Sequence, residues 1–193
     1  MASSDFRALC KSLDPPLWIV TAAAGHESGG LLATFVSQAS IAADCPRILA
    51  GIGKSHRTWE LIEASGGFAV HLLTMSQEHL DWADRFGLES GRTSDKFAGL
   101  QSRQGQTGSP ILEDAAAWAE CKVEARFDTG DRTIYLAEVV DAKPPESAEI
   151  LTVQRWVKTL SVLRQARQSE LFSADSALDA EVILSWRARI KNA

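Results

Sequence analysis

Two stretches of alternating side chains, joined by a short turn, constrain the fold of this chain most. From Trp118 to Phe127 apolar and polar residues alternate, which is typical of a strand with one buried face. Asp128 to Asp131 contains Gly130 and reverses the chain, and Thr133 to Val140 returns as a second strand. Four other short apolar segments are separated by turn residues: Leu17 to Ala22, Leu31 to Ser37, Ile48 to Ile52 and Phe68 to Leu73. The pattern predicts an antiparallel β barrel or sandwich.

Helical spacing replaces this alternation near the C-terminus. Two apolar helical faces follow one another, and Ser173 to Ser176 lies between them. The first face holds Val153, Trp156, Val157, Leu160 and Leu163, and the second holds Leu178, Val182, Ile183, Trp186 and Ile190. We therefore predict a β domain over residues 1–150 and a two-helix appendage over residues 151–193. Short peripheral helices are expected at residues 4–13, 59–64 and 77–86, and residues 25–30 are expected to form the turn of the first hairpin.

Composition excludes several classes of function. The 193 residues carry a net charge of −5, and the basic excess is confined to residues 151–193, which argues against nucleic acid as the main partner. Three widely spaced cysteines and four histidines show no metal-binding spacing, so no metal site is expected. No apolar run reaches the roughly 20 residues of a membrane span. We expect a cytoplasmic protein.

The stretch from Thr34 to Ser40 carries more hydroxyls than a buried strand normally would. Thr34, Ser37 and Ser40 lie in an apolar context, and strict strand alternation would not place all three on one face. A bulge near Gln38 would bring them together and free backbone N–H groups for the polar edge of a flat heterocycle. The alternative is that these residues line a solvated face, because strands tolerate threonine well.

The second candidate motif is Lys54-Ser55-His56-Arg57-Thr58, which opens a predicted helix. Either Ser55 or Thr58 is expected to cap that helix, and free N–H groups at a helix N-terminus attract phosphate. Arg57 adds a planar set of donors and Lys54 a mobile charge. The alternative is an ordinary surface helix start with scattered charges. Neither a P-loop nor a Gly-x-Gly-x-x-Gly turn is present.

The order of these features resembles the flavin reductase-like, FMN-binding split-barrel family, which includes the flavin reductase-like domains fused to flavodiiron proteins and rubredoxins. The resemblance extends over about residues 12 to 142. It rests on the two motifs above and on later segments in the same order: Leu17 to Ala22, Phe68 to Val70, Asp95 to Gly99, Gly108 to Leu112, Trp118 to Cys121 and Gly130 to Ile134.

This resemblance implies a mainly β fold, a six-stranded antiparallel Greek-key split barrel, and a homodimer with FMN, rather than FAD, near the subunit interface. The implied contacts of the isoalloxazine and ribityl chain are Thr34, Ser37, Gln38, Ala39 and Ser40. The implied phosphate ligands are Lys54, Ser55, Arg57 and Thr58. NAD(P)H is the implied co-substrate.

One position departs from the family pattern. Members that accept hydride from NAD(P)H often carry histidine in a Gly-Asp-His motif, whereas this chain has Arg132. Arg132 is our candidate catalytic residue, as a cation facing the electron donor or stabilising an anionic reduced flavin. The expected function is an FMN-dependent oxidoreductase that passes electrons from NAD(P)H to an acceptor. The alternative is a non-catalytic flavin-binding or electron-relay protein, whose basic appendage docks an acidic redox protein.

Overall fold

The computed structural model describes residues 2–145 and 147–191. Residues 1, 146, 192 and 193, which belong to the two predicted domains, lie outside the described residues. The elements in chain order are α1 Ala2–Ser12, β1 Trp18–Ala24, β2 Glu27–Ala33, β3 Val36–Gln38, β4 Arg47–Gly53, α2 Arg57–Ser65, β5 Gly67–Leu72, α3 Gln77–Leu88, β6 Ser102–Gln104, β7 Pro110–Leu112, β8 Ala117–Asp128, β9 Arg132–Lys143, α4 Val153–Thr159 and α5 Val162–Lys191.

The hairpin predicted from the alternating stretches is confirmed as β8 and β9. Each strand has 12 residues, and Gly130 takes a positive φ of 98° in the turn between them. Irregularities in the pairing occur after Glu120 and after Val123. Such bulges increase strand bending and twist, which a curled sheet requires.

The main sheet is antiparallel, with strand order β2-β1-β5-β8-β9-β4-β3 among the described residues. It has seven strands, so the predicted number of six is wrong. The extra strand arises where the chain changes partners: β2 pairs with β1, the chain bends at Thr34 and Phe35, and β3 pairs with β4. The Gly51 N–H donates to the Phe35 carbonyl at 2.8 Å across this bend. One long predicted strand is therefore two strands, at opposite ends of the curled sheet.

The first hairpin turn is shorter than predicted. Only Gly25 and His26 separate β1 from β2, and Gly25 has a φ of 61°. Gly30 was expected in the turn but lies inside β2, where an added Cβ would stand 2.5 Å from the Phe86 ring. Gly30 is therefore explained by the close approach of α3, which a single sequence does not reveal.

Two apolar cores lie on opposite faces of β1. Val20 belongs to the core enclosed by the sheet, together with Phe68 and Tyr135. Ile19, the neighbouring residue, belongs to a second core with Trp82 of α3 and Trp156 of α4. The alternation of side chains along a strand explains why adjacent residues serve different cores.

The two C-terminal helices differ from the prediction in where they divide. The interruption falls at Leu160 and Ser161, and α5 continues without a break through Ser173 to Ser176. Ser173 is accommodated because its hydroxyl donates to the Ser169 carbonyl at 2.8 Å, one turn earlier. No glycine or proline interrupts this part of the helix. No helix among the described residues is both long enough and apolar enough to cross a lipid bilayer.

Candidate functional site

The segment from Thr34 to Ser40 forms the bend before β3, β3 itself and the two residues after it. Ser37 and Gln38 are exposed, while Thr34, Ala39 and Ser40 are partly buried. No bulge is present at Gln38, so that expectation is wrong. The irregularity lies at Thr34 and Phe35, because the chain changes partner strands there.

The outer edge of β3 offers backbone donors without needing a bulge. The Ala39 N–H donates to the Arg47 carbonyl at 2.8 Å, so Ala39 faces β4. In an antiparallel pair alternate residues direct their N–H groups away from the partner strand, so the Gln38 N–H points to the open edge. The Gln38 side-chain amide donates to the Ser40 carbonyl at 2.7 Å, and the Ser40 hydroxyl accepts from the Ala42 N–H at 3.1 Å.

A cavity of about 520 Å³ adjoins this segment and is lined by Ser37, Gln38, Ser40 and Trp18. The Trp18 indole N–H is buried and finds no acceptor among the described residues. An unpaired buried donor costs roughly 1–3 kcal/mol. The cavity therefore combines hydroxyls, an amide and an indole ring with an unused donor.

The second motif lies at the start of α2, and its cap differs from the prediction. His56 is the N-cap residue, with no side-chain capping bond, so neither Ser55 nor Thr58 caps the helix. Thr58 lies inside the first turn and is 2 % exposed. The backbone N–H groups of Ser55, Arg57 and Thr58 have no acceptor among the described residues. Open donors at the positive end of a helix have the chemistry that suits an anion.

Both fixed cations of this motif have carboxylate partners. Arg57 is ion-paired with Glu27 and with Glu60. Lys54 donates to Asp128 at 2.7 Å, and this bond, with that from the Gly130 N–H, lowers the pKa of the Asp128 carboxyl. The Lys54 and Arg57 charges are therefore oriented by the protein itself, and an anion bound here would share them with these carboxylates.

Arg132 lies between the two motifs. It pairs with Gly53 at the start of β9, next to Lys54, whose N–H donates to the Asp131 carbonyl at 2.9 Å. Its guanidinium carbon stands 4.7 Å from the centre of the Phe35 ring, within the first motif. This is a cation–π distance. The arginine therefore connects the segment around β3 to the start of α2.

The charge of Arg132 is offset by two carboxylates. Its Nε donates to Asp131 at 2.5 Å, and its terminal nitrogen donates to Asp179 of α5 at 2.9 Å. The Asp179 contact joins residues 47 positions apart, and no local pattern signals it. Burial raises the pKa of Asp179, while the nearby arginine opposes the shift.

Strand β4 sets the separation of the two motifs. Ala50 pairs with Val36 of β3, and Gly53 ends the strand directly before Lys54. Three to four residues of extended strand correspond to about 10–13 Å. One elongated ligand with a ring at β3 and a phosphate at α2 could therefore contact both motifs.

His71 and Cys121 are buried in the fold. His71 is fully buried, donates from Nδ1 to the Ile19 carbonyl and accepts from the Leu112 N–H at Nε2. Burial lowers its pKa to about 4. Burial also raises the pKa of the Cys121 thiol to about 12, which leaves it unreactive. Among residues 2–145 and 147–191, no group of His, Cys, Asp and Glu side chains suits a metal ion.

One buried cation near the second motif was not identified from the sequence. Lys96 is 6 % exposed, and its ammonium donates to the Phe86 carbonyl at 3.0 Å and to the Gly30 carbonyl at 3.3 Å. In the sequence, Lys96 stands within Asp95 to Gly99, one of the segments that resemble the family. That resemblance assigned it no role.

The curled antiparallel sheet, with one motif paired to β4 and the other directly after it, has the architecture of a split barrel. Residues 11–161 match the family model described as "Flavin reductase like domain", and the chain belongs to this family. The family is therefore confirmed.

The chain is also similar to individual proteins that carry different names. The chain is 35% identical over 127 residues to "High molecular weight rubredoxin" of Moorella thermoacetica, covering 65% of this chain and 54% of that protein. It is 31% identical over 137 residues to "Ferric-chelate reductase (NAD(P)H)" of Archaeoglobus fulgidus, covering 70% and 79% respectively. The chain thus spans little more than half the length of some curated relatives that it matches.

A solved structure also matches. The NADH:FAD oxidoreductase SgcE6 of Streptomyces globisporus superposes with a TM-score of 0.67 at 26% identity, over 76% of this chain and 86% of that chain.

Proposed function

We propose that this chain is a flavin-dependent oxidoreductase that holds the FMN moiety across β4. The observation that carries the proposal is the placement of an open helix N-terminus, with Arg57 and Thr58, about 10–13 Å along β4 from the donors of β3. The chemistry of the donor set fits the group, because a helix N-terminus with an arginine suits a phosphate and an exposed strand edge suits a polar ring edge.

The proposed roles of the residues follow from this placement. Ser55, Thr58 and the open N–H groups of α2 bind the phosphate, and Lys54 and Arg57 supply positive charge. Thr34 and the residues Ser37, Gln38, Ala39 and Ser40 hold the ring and ribityl chain. A bound flavin would supply the redox chemistry by accepting hydride from NAD(P)H and passing electrons to an acceptor.

Arg132 remains our proposed cation on the donor-facing side. Because Asp131 and Asp179 accept its hydrogen bonds, it would orient an anionic group only by sharing or exchanging these partners. We also propose that the molecule is a homodimer. Large apolar side chains stay exposed on α5 and beside β3, with exposed fractions of 61% at Phe172, 65% at Leu184 and 60% at Phe35, and we propose that the partner subunit covers them.

A second candidate function is an electron relay that docks an acidic redox protein through the basic C-terminal helices. A relative named as a rubredoxin favours it. Three of its arginines already have carboxylate partners: Arg155 with Glu149, Arg164 with Asp84 and Arg167 with Glu170. Lys158, Arg187 and Arg189 are the other basic side chains of that predicted surface.

Anaerobic mixing separates the two functions. The flavin-loaded protein is mixed with NADH or NADPH, and the visible absorbance of the oxidised flavin is followed. Rapid bleaching supports the oxidoreductase. Indifference to both nucleotides, with bleaching by a reduced redox protein, supports the relay, and failure of the purified protein to bind any flavin contradicts both.

Arg57→Ala tests the phosphate site directly. We expect FMN affinity to fall about tenfold or more, because a charge-assisted hydrogen bond contributes roughly 1.5–3 kcal/mol. Riboflavin lacks the phosphate, so its affinity should change less than twofold. Flavin fluorescence quenching measures both.

Arg126→Ala is the matched control for this variant, since Arg126 also has a carboxylate partner, Glu63, but lies on β8 outside the site. Equal weakening of FMN and riboflavin by Arg57→Ala would contradict the phosphate role.

A further inference from the structure

Helix α5 reaches the candidate site through the carboxylate of Asp179. This carboxylate accepts a hydrogen bond from the terminal nitrogen of Arg132 at 2.9 Å. The same guanidinium stands over the ring of Phe35, which is 60% exposed beside β3. We call the ion pair between Arg132 and Asp179 the α5 latch. It places a negative charge of the long helix on the cation that lies between the two candidate motifs.

The two carboxylates that bind Arg132 are not held equally firmly. The Asp131 side chain is 5% exposed, and it also accepts a hydrogen bond from the Thr129 hydroxyl at 3.0 Å within the same turn. The Asp179 side chain is 26% exposed, and Arg132 is its only hydrogen-bond partner among residues 2–145 and 147–191. Partly exposed ion pairs contribute little to stability. Asp179 is therefore the partner that an incoming anion can replace, whereas Asp131 stays.

The negative charges around Asp179 repel one another. Burial raises the pKa of Asp179, and Arg132 opposes this shift. The charges of Asp131 and Asp175 raise that pKa further, whereas His56 lowers it. Asp175 and Asp179 belong to the same helix, so displacement of α5 would remove both charges together. Arg132 would then keep one carboxylate, Asp131, and would attract an anion more strongly.

The attachment of α5 to the rest of the chain permits such a displacement. None of the described residues of α5 is buried, so little apolar surface would become exposed. Leu160, which follows α4, is 5% exposed within the second core and has an extended backbone, with a φ of −68° and a ψ of 137°. Helix α5 begins two residues later, at Val162. The chain is therefore anchored at Leu160 and changes direction before the long helix.

The two ends of α5 are held in different ways. Arg164, in the first turn, is ion-paired with Asp84 of α3. Further along, the contacts with the barrel are those of Asp179 and of Trp186, which lies so close to Gly130 that an added Cβ there would stand 2.8 Å from the Trp186 Cβ. The helix thus has one end fixed to α3 and one end that the α5 latch and Trp186 hold against the β8–β9 turn.

We propose that Asp179 is a positioning residue that competes with the electron donor for Arg132. While the α5 latch is closed, Arg132 has two carboxylate partners and gives an anion little net attraction. A phosphate group of NAD(P)H replaces Asp179 on Arg132, and the C-terminal half of α5 moves away from the barrel. The apparent affinity for the nucleotide is reduced, because only molecules with an open latch bind it. This proposal rests on the proposed function, since it takes NAD(P)H as the electron donor.

Asp179→Asn is the test, because it removes the charge at a partly exposed position and keeps the size of the side chain. The flavin-loaded protein is mixed anaerobically with increasing NADH or NADPH, and bleaching of the oxidised flavin gives the Kd of the nucleotide and the limiting rate. We expect the Kd to fall about two- to fivefold, while the limiting rate changes less than twofold. A merely structural role of Asp179 would leave the Kd unchanged.

Two further variants of α5 serve as controls. Asp179→Glu keeps the carboxylate and should bind the nucleotide as the wild type does. Glu181→Gln removes a charge from an exposed position of the same helix and should leave the Kd unchanged. An equal fall in Kd for Glu181→Gln would overturn the proposal, because the net charge of the helix would then set the affinity.

Arg132→Gln shows whether Asp179 acts through the arginine. In that background Asp179→Asn should have no further effect on the Kd, because the residue for which Asp179 competes is gone. A fall in Kd that persists in the double variant overturns the competition. Weaker binding of the nucleotide by Asp179→Asn alone overturns it as well, since Asp179 would then assist the donor.

Amide hydrogen exchange measures the displacement of α5 itself. Saturating nucleotide, added anaerobically to the wild type, should speed exchange over residues 175–190, because the helix leaves the barrel. Unchanged or slower exchange over these residues overturns the displacement.

The outcomes separate the two proposals. A flavin-loaded wild type that neither nucleotide reduces overturns the proposed function, and the α5 latch with it. A wild type that is reduced, and whose nucleotide Kd is the same in Asp179→Asn, overturns the α5 latch alone.

Discussion

Helices α4 and α5 adjoin in the chain but relate to the barrel in different ways. The seven-residue α4 contributes Trp156 and Leu160, each 5 % exposed, to the second core. The 30-residue α5 buries none of its described residues. Leu151, just before α4, also donates its N–H to the Leu73 carbonyl and accepts from the Leu17 N–H. The short helix therefore packs into the second core, whereas the long helix stays largely exposed and contacts the barrel through Arg132–Asp179, Arg164–Asp84 and Trp186 at Gly130.

This difference shows that helical periodicity reports an apolar face but not its partner. Both helices were predicted together as one appendage over residues 151–193, and that division remains a proposal for α5. For α4 the packing argues for membership of the barrel domain, because its tryptophan shares a core with Ile19 and Trp82.

Removal of the Trp156 side chain is expected to have the largest effect on stability and tests the role of α4 in the core. Trp156→Ala should lower the free energy of unfolding by about 3–5 kcal/mol, because a large buried aromatic leaves a cavity. The change also removes the bond from the indole N–H to Asp84 at 2.7 Å. Urea unfolding measures the loss.

Leu163→Ala on α5 is the matched control, with an expected change within about 0.5 kcal/mol because the side chain is 83% exposed. A change below 1 kcal/mol for Trp156→Ala would place α4 outside the core and remove the contrast.

The next largest effect is a loss of stability of the barrel domain at acidic pH. The pKa of His71 is about 4 in the fold, below its unfolded value of about 6.5. The stability from neutral His71 is therefore fully present above pH 6.5 and is lost as the pH falls towards 4. The loss over this range should be on the order of 3 kcal/mol.

His71→Gln isolates this contribution, because a glutamine carbonyl can still accept from the Leu112 N–H but does not titrate in this range. The variant should have a flatter stability profile between pH 6.5 and 4. Burial also lowers the pKa of His79, but that residue is present in both proteins. Parallel profiles would contradict the role of His71.

The smallest effect concerns the ion pair between Asp179 of α5 and Arg132 of the barrel. Asp179→Asn should change the free energy of unfolding by less than about 1 kcal/mol, since partly exposed ion pairs contribute little. It should nevertheless speed proteolysis within α5, because Asp179 bonds the helix to Arg132. Limited proteolysis followed by mass spectrometry measures the rate of cleavage.

Glu170→Gln, whose partner Arg167 lies on the same helix, should leave that rate unchanged. Equal cleavage of Asp179→Asn and wild type would mean that other contacts hold α5.

Local patterns identified much of the barrel. The alternation of β8 and β9, the turn at Gly130 and the cap of α3 by Ser76 depend on residues a few positions apart, and each is observed. The two candidate motifs were also visible, because clusters of hydroxyls and cations are unusual in an apolar context. Their separation along β4 was not, since it depends on which strand pairs with β3.

The sequence by itself determined most strands of the main sheet, the β8–β9 hairpin, the helical C-terminus and the two clusters of hydroxyls and cations that we propose bind a flavin. Tertiary structure decided that the predicted strand over Leu31 to Ser37 divides between two partner strands, that α4 completes a core and that Arg132 is bonded to Asp179. The physical reason is the separation along the chain over which each interaction acts. Turn, cap and strand preferences act over a few residues. The packing of Gly30 against Phe86 and the pairing of Arg132 with Asp179 depend on the path of the whole chain.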